Sequence, residues 1–162
     1  MKVVAVPGQP PLEGLLRYVI AEHSFAFDVA SPADLRERSG STGVTSLSVG
    51  TLQIEVGIET GLLLFAWGLH PRANWTLQSV GRPNPTMGTV RLETSAPLER
   101  GVSLQLAAVG DWATAVDEVT GWLRVAEHPG HLSEEEILIA TGVVVGISGG
   151  RLDSLWLEPI LE

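Results

Sequence analysis

The chain has 162 residues, no cysteine and a formal net charge of −9. This length predicts a single domain over residues 1–162, and the absence of cysteine excludes a disulfide scaffold, a thiolate metal site and a cysteine nucleophile. The negative charge argues against binding to nucleic acid or to an anionic membrane, because phosphate groups would be repelled. Nine arginines against one lysine suggest a GC-rich bacterial genome. Since the start MKVVAVPGQPP is too short for a signal-peptide core, a cytoplasmic location is expected.

The N-terminal third is predicted to hold two helices next to short strands. In PPLEGLLRYVIAEH the apolar residues recur at helical spacing, which predicts a helix over about residues 11–23. The segments KVVAV and SFAFDVA on either side are predicted to be strands. In SPADLRERSG, Ser31 and Asp34 form a capping box, Pro32 takes the first helical position and Gly40 ends a short helix.

The middle of the chain is predicted to form consecutive strands. Apolar and polar residues alternate from Leu52 to Ile58, and Gly50-Thr51 suits a two-residue hairpin turn before them. GLLLFAWGL is apolar on both faces, as expected of a central strand. NWTLQSV, TVRLET and VSLQLAAV alternate in the same way, whereas GRPNPTMG is predicted to be a loop.

The C-terminal third is predicted to contain the longest helix. Apolar residues from Trp112 to Ala126 form one stripe in DWATAVDEVTGWLRVAEH, which predicts a helix over about residues 111–127. The next segment, 133–141, has the capping pattern of a shorter helix. A strand from Glu136 onward is the alternative.

The segment VVVGISGGRLDS is similar to two catalytic signatures. Gly146 to Gly150 fits the G-x-S-x-G nucleophile turn of serine hydrolases, but no histidine follows Ser148 to complete a triad. The same letters are similar to the S-G-G-x-D-S phosphate loop of the ATP pyrophosphatase family, but one residue too many precedes Asp153. A hairpin with a type I′ turn at Gly149-Gly150 explains the segment better, because glycine tolerates the positive φ angles of that turn.

Together these elements predict an α+β fold. A mostly antiparallel, curved sheet of roughly seven to nine strands is expected to pack against the long helix over about 111–127 and the N-terminal helix over about 11–23. In the C-terminal hairpin, the two-residue turn predicts that Ser148 lies opposite Arg151 and that Val143 lies opposite Trp156.

A candidate ligand site follows the most apolar strand, where His70, Arg72 and Trp75 occur within one turn. Loops after central strands often carry functional groups. There His70 would act as a general base, and Arg72 would bind a carboxylate or phosphate. The alternative is a tight turn with Trp75 in the core.

A candidate partner site consists of five carboxylates, Asp117, Glu118, Glu134, Glu135 and Glu136, which are expected to face the same side of the two C-terminal helices. Such a patch would favour a basic partner. The alternative for the three glutamates is a structural role, in which they offset the dipole of a helix N-terminus.

A metal site is not predicted at EHPGH, Glu127–His131, although the segment holds three potential ligands. Pro129-Gly130 interrupts the helix, so the two histidines would not share one helix face. No cofactor is expected from any other motif.

Three functions therefore remain open. The first is a protein-binding module, such as an acidic immunity or inhibitor protein that neutralises a basic toxin by occlusion. The chain resembles bacterial toxin-immunity proteins in gross character only, as a small, acidic, cysteine-free chain with an expected cytoplasmic location and α+β fold. The second is a small-molecule-binding domain or modest enzyme with a pocket near His70, Arg72 and Trp75. The third is a structural or assembly subunit, and five tryptophans leave room for a homo-oligomer interface.

Overall fold

The computed structural model describes all residues, 1–162, and the protein consists mostly of β-strands. Strands make up 52% of the chain and helical segments 9%. In chain order the strands are β1 (Lys2–Pro7), β2 (Gly14–Val19), β3 (Ser24–Val29), β4 (Val44–Val49), β5 (Leu52–Gly57), β6 (Leu63–Leu69), β7 (Trp75–Leu77), β8 (Thr86–Glu93), β9 (Leu104–Ala107), β10 (Ala113–Val116), β11 (Leu123–Ala126), β12 (Glu135–Ala140), β13 (Val143–Ser148), β14 (Arg151–Leu157) and β15 (Ile160–Leu161). The α-helix α1 spans Pro32–Ser39, and short 3₁₀ turns lie at Ile20–Glu22 and Arg72–Asn74.

The strands form two mixed sheets. Sheet I has eight strands in the order β1-β8-β12-β13-β14-β11-β10-β7, and sheet II has seven in the order β15-β2-β3-β6-β5-β4-β9. Most neighbours are antiparallel, but β7 with β10, β8 with β12, β15 with β2 and β4 with β9 are parallel. A cluster of 27 buried residues drawn from both sheets forms the main core, so the inner faces of the sheets pack against each other.

The prediction of an α+β fold, with one sheet packed on two helices, is therefore wrong. The segment predicted as a helix over about 11–23 forms the strand β2 instead. Leu16 and Tyr18 are buried, while Leu15 and Arg17 lie on the opposite face. The apolar residues of this segment fit both periods, and pairing with β3 selects the strand.

The predicted helix over about 111–127 is also wrong, because this segment forms the hairpin of β10 and β11. Gly121 has a φ of 81°, which ends any regular helix in the middle of the segment. Val119, which the helical stripe would bury, is 94% exposed. The segment is also rich in β-branched valine and threonine, which favour strands.

Segment 133–141 follows the alternative interpretation, since Glu135–Ala140 is the strand β12 and not a helix. Ile137 and Ile139 face the core there. The helix predicted in SPADLRERSG is confirmed as α1, with the Ser31 hydroxyl accepting a hydrogen bond from the Asp34 N–H (3.2 Å).

The hairpin predicted at Gly149-Gly150 is confirmed, but its register is right only near the turn. The two glycines have φ angles of 59° and 74°, and Ser148 lies opposite Arg151. A β-bulge between Gly146 and Ile147 then shifts the pairing by one residue. As a result Val143 lies opposite Leu157 and not opposite Trp156 as predicted.

Candidate functional site

Both sheets end in a short strand at the same corner of the molecule. One edge strand of sheet I is β7, which pairs with β10, and one edge strand of sheet II is β15, which pairs with β2. A groove of about 540 Å³ lies between these two strands, and we call it the open-edge groove. Its lining includes Arg72, Trp75, Leu77, Asp117, Glu118 and Leu161.

Two leucines in the open-edge groove face the interior of the sandwich and are nevertheless exposed. One row of sheet I runs from Leu157 and Leu123, which are buried, through Val116 to Leu77 at the edge, which is 68% exposed. In sheet II, Leu161 lies opposite the buried Tyr18 and is 54% exposed. The interior of the protein is thus uncovered at this corner.

Trp75 forms the inner wall of the groove. Its ring packs against Tyr18, with ring centroids 4.9 Å apart, and the guanidinium carbon of Arg72 lies 5.9 Å from the ring centroid. The indole Nε1 is buried and has no hydrogen-bond partner. A buried donor without a partner lowers the stability of the folded protein.

The turn between β10 and β11 borders the groove and is held by one carboxylate. Asp117 is 5% exposed, and its side-chain oxygens accept hydrogen bonds from the N–H groups of Val80 (3.1 Å), Gly81 (2.9 Å), Val119 (2.9 Å) and Thr120 (3.2 Å). These N–H groups, that of Gly81 first, lower the pKa of Asp117. The carboxylate therefore fixes the turn to the preceding loop.

This fixed turn presents two exposed side chains. Val119 is 94% exposed and Glu118 is also exposed. Because β7 and β10 are parallel, Glu118 lies at the C-terminal end of β7, while Arg72 precedes its N-terminal end. The groove therefore has a cationic end and an anionic end.

His70 lines a different cavity, of about 440 Å³, together with Thr114, Asn74 and Trp112. Its Nε2 lies 2.8 Å from the Thr114 hydroxyl, and its carbonyl accepts a hydrogen bond from the Tyr18 hydroxyl (2.9 Å). Burial lowers the pKa of His70 to about 4, so the imidazole is neutral near pH 7. It offers hydrogen bonds to a ligand without offering positive charge.

The residues of each candidate site predicted from the sequence lie at two separate places in the structure. Arg72 and Trp75 of the ligand set lie in the open-edge groove with Asp117 and Glu118 of the acidic set, whereas His70 does not line that groove. The sequence analysis missed Leu77 and Leu161. A leucine that faces the core looks the same in the sequence whether its strand lies inside the sheet or at the edge.

The other three glutamates lie at β12, with three strands between them and β10 in sheet I. Glu134 and Glu135 are exposed, and the Glu134 carboxylate accepts the Gly149 N–H (3.3 Å). Glu136 is partly buried beside Arg124, and burial raises its pKa. These glutamates therefore do not form one patch with Asp117.

Arg124 ties down the segment 127–134 on the outer face of sheet I. Its side chain is buried, donates hydrogen bonds to the carbonyls of Pro129 (2.9 Å) and His131, and lies over the ring of Trp156. The histidines of EHPGH are in this segment. No three His, Asp or Glu side chains of the chain are grouped closely enough to hold a metal ion.

No helix of the protein has the length and apolar composition needed to cross a bilayer. Comparison with protein-family models finds no match, and no curated protein matches the chain either.

Proposed function

We propose that the protein is a binding module for a basic protein partner, which it holds at the open-edge groove. The observation that supports this most strongly is the exposure of two core-facing leucines, Leu77 and Leu161, at one corner. Uncovered apolar surface lowers stability in water, and on soluble proteins it is typical of interaction sites. A partner that covered these side chains would gain the corresponding hydrophobic free energy.

The fixed turn beside the groove supports the same function. Val119 projects from a backbone that Asp117 holds through four hydrogen bonds. A contact residue that is already ordered loses little conformational entropy on binding, so its burial contributes more to affinity. An exposed valine on a rigid turn is suited to such a contact.

The charge of the protein favours a basic partner. The net charge of −9 attracts cationic proteins at long range and repels acidic ones. Glu118 places a carboxylate at the groove itself. A module of this kind would act by occlusion, as an immunity or inhibitor protein does when it covers a basic toxin.

Calorimetric titration with two short peptides tests the proposal. One peptide alternates leucine with lysine, and the other alternates leucine with glutamate. We expect the lysine peptide to bind, more weakly as salt is added, and the glutamate peptide not to bind. Leu77→Asp should abolish binding, whereas Leu132→Asp, at an exposed leucine outside the groove, should not. Equal binding of both peptides, or binding that survives Leu77→Asp, would contradict the proposal.

A second candidate function is binding of a small uncharged molecule in the His70 cavity. The neutral, desolvated imidazole beside the buried Thr114 hydroxyl supports it. A thermal-shift screen of uncharged metabolites tests it, since a ligand at about 100 times its Kd adds about 2.7 kcal/mol of stability. Stabilisation that disappears in Thr114→Val is the expected result, and a screen without any stabilising compound would count against it.

A further inference from the structure

The backbone of β7 has one edge without a partner. The N–H of Gln78 donates to the carbonyl of Val116 (3.0 Å), so the polar backbone groups at this position face β10. Successive residues of a strand point their N–H and C=O groups to opposite sides. The N–H and C=O of Leu77 therefore face away from β10, toward the open-edge groove.

The side chain of Leu77 and its unpaired backbone N–H and C=O groups both face the open-edge groove. A strand laid along the free edge of β7 would place every second side chain on the inner face of sheet I, beside Leu77 and across from Leu161. The row that ends at Leu77 would then continue by one strand, and the groove would be filled. A compact ligand would cover the leucines but would leave the backbone edge unpaired.

The charges around β7 indicate which kind of extended segment would bind there. A second copy of this chain would bring another net charge of −9 to the same corner, which opposes association. A cationic segment meets Glu118 at the C-terminal end of β7 instead. Arg72 lies over the ring of Trp75, at the opposite end of β7 from Glu118.

From this geometry we infer that the partner binds by strand addition: an extended segment with alternating apolar and basic residues pairs with the free edge of β7. This inference rests on the proposed function and specifies its binding mode. The apolar side chains fill the groove, and the basic ones stay in solvent, with the exposed carboxylate of Glu118 at the C-terminal end of β7. The backbone of Leu77 supplies the hydrogen bonds that fix the register.

The test uses the leucine–lysine peptide with N-methyl groups, which remove backbone donors but keep the side chains. One peptide carries N-methyl groups on its leucines only and the other on its lysines only. In a strand with leucines facing inward, the leucine N–H groups face β7 if pairing is antiparallel, and the lysine N–H groups face β7 if pairing is parallel. We therefore expect one of the two peptides to lose about tenfold or more in affinity and the other to bind nearly as well as the parent.

The remaining outcomes separate this inference from the proposed function. If both methylated peptides bind like the parent, or both lose affinity equally, strand addition is overturned while groove binding stands. If the parent peptide does not bind, both are overturned. If the protein sediments as a dimer and Leu77→Asp makes it monomeric, the free edge of β7 is occupied by a second copy and not by a basic partner.

Discussion

The partly buried imidazole of His70 makes the stability of the protein depend on pH in a defined window. In the unfolded chain His70 has its ordinary pKa of 6.5, and in the folded protein burial lowers this pKa to about 4. Above pH 6.5 both states are neutral, so the contribution of His70 to stability is complete. As the pH falls from 6.5 to about 4, the unfolded state takes up a proton that the folded state does not, and the stability falls.

The size of this effect follows from the pKa difference of about 2.5, at about 1.4 kcal/mol for each pKa unit. The free energy of unfolding should therefore fall by about 3 kcal/mol between pH 7.5 and pH 4 because of this side chain alone. Glutamine at the same position cannot be protonated and still offers hydrogen bonds to Thr114, so His70→Gln should lack this part of the pH dependence.

Urea unfolding of the two proteins at several pH values between 7.5 and 4 measures the difference. At pH 7.5 we expect His70→Gln to be no more stable than the natural protein. Between pH 7.5 and pH 4, its free energy of unfolding should rise by about 3 kcal/mol relative to that of the natural protein. His128→Gln, at an exposed histidine, controls for the substitution itself. A difference between His70→Gln and the natural protein that stays constant across this range would refute the reasoning.

Three further predictions concern residues that hold the strands and loops of sheet I. Gly146→Ala should cost about 1–3 kcal/mol of unfolding free energy, because its methyl group would clash with the hydroxyl groups of Ser133 and Ser154. Gly130→Ala, with open space around it, should not, and chemical denaturation compares the two variants. Asp117→Asn should lower the Tm and speed amide hydrogen exchange at the N–H groups it accepts, and unchanged exchange would contradict its role. Arg124→Met should speed exchange and proteolysis in the segment 127–134, and a protection pattern like that of the natural protein would show that the arginine does not hold this segment.

Local signals in the sequence predicted those parts of the fold that depend on a few neighbouring residues. The Ser31 cap predicted α1, and the paired glycines at 149 and 150 predicted a hairpin turn. Both features are satisfied by contacts within one turn of chain. The similar capping pattern at 133–141 did not prevail, because that segment pairs with β13 as the strand β12. The bulge beyond the hairpin depends on how β14 fits between β11 and β13, and for that reason the register was predicted only near the turn.

The two wrong helices arose from apolar residues that fit a helical and a strand period equally well. In the segment 111–127 the stronger signal was the turn DEVTG, where Asp117 accepts backbone N–H groups and Gly121 takes a positive φ. Given that turn, the flanking ATAV and LRVA are two strands of a hairpin. In β2 the pairing with β3 selected the strand. The segment SFAFDVA was predicted to be a strand, but the sequence did not show that residues 14–19 pair with it.

The residues of the open-edge groove were predicted only in part, for a topological reason. Arg72 and Trp75 meet Asp117 and Glu118 because β7 pairs in parallel with β10. Parallel pairing joins segments that are distant in the chain, and neither segment carries a sign of the other. The sequence indicated polar and aromatic groups worth attention, but it could not indicate which of them share a site.

The most direct measurement of the central claim is methyl NMR of the leucines during titration with the leucine–lysine peptide. If the open-edge groove is the binding site, the methyl signals of Leu77 and Leu161 shift with a common saturation curve, and those of the exposed control Leu132 do not. Shifts confined to other leucines, or none at saturating peptide, would contradict the claim that this corner of the sandwich binds a partner.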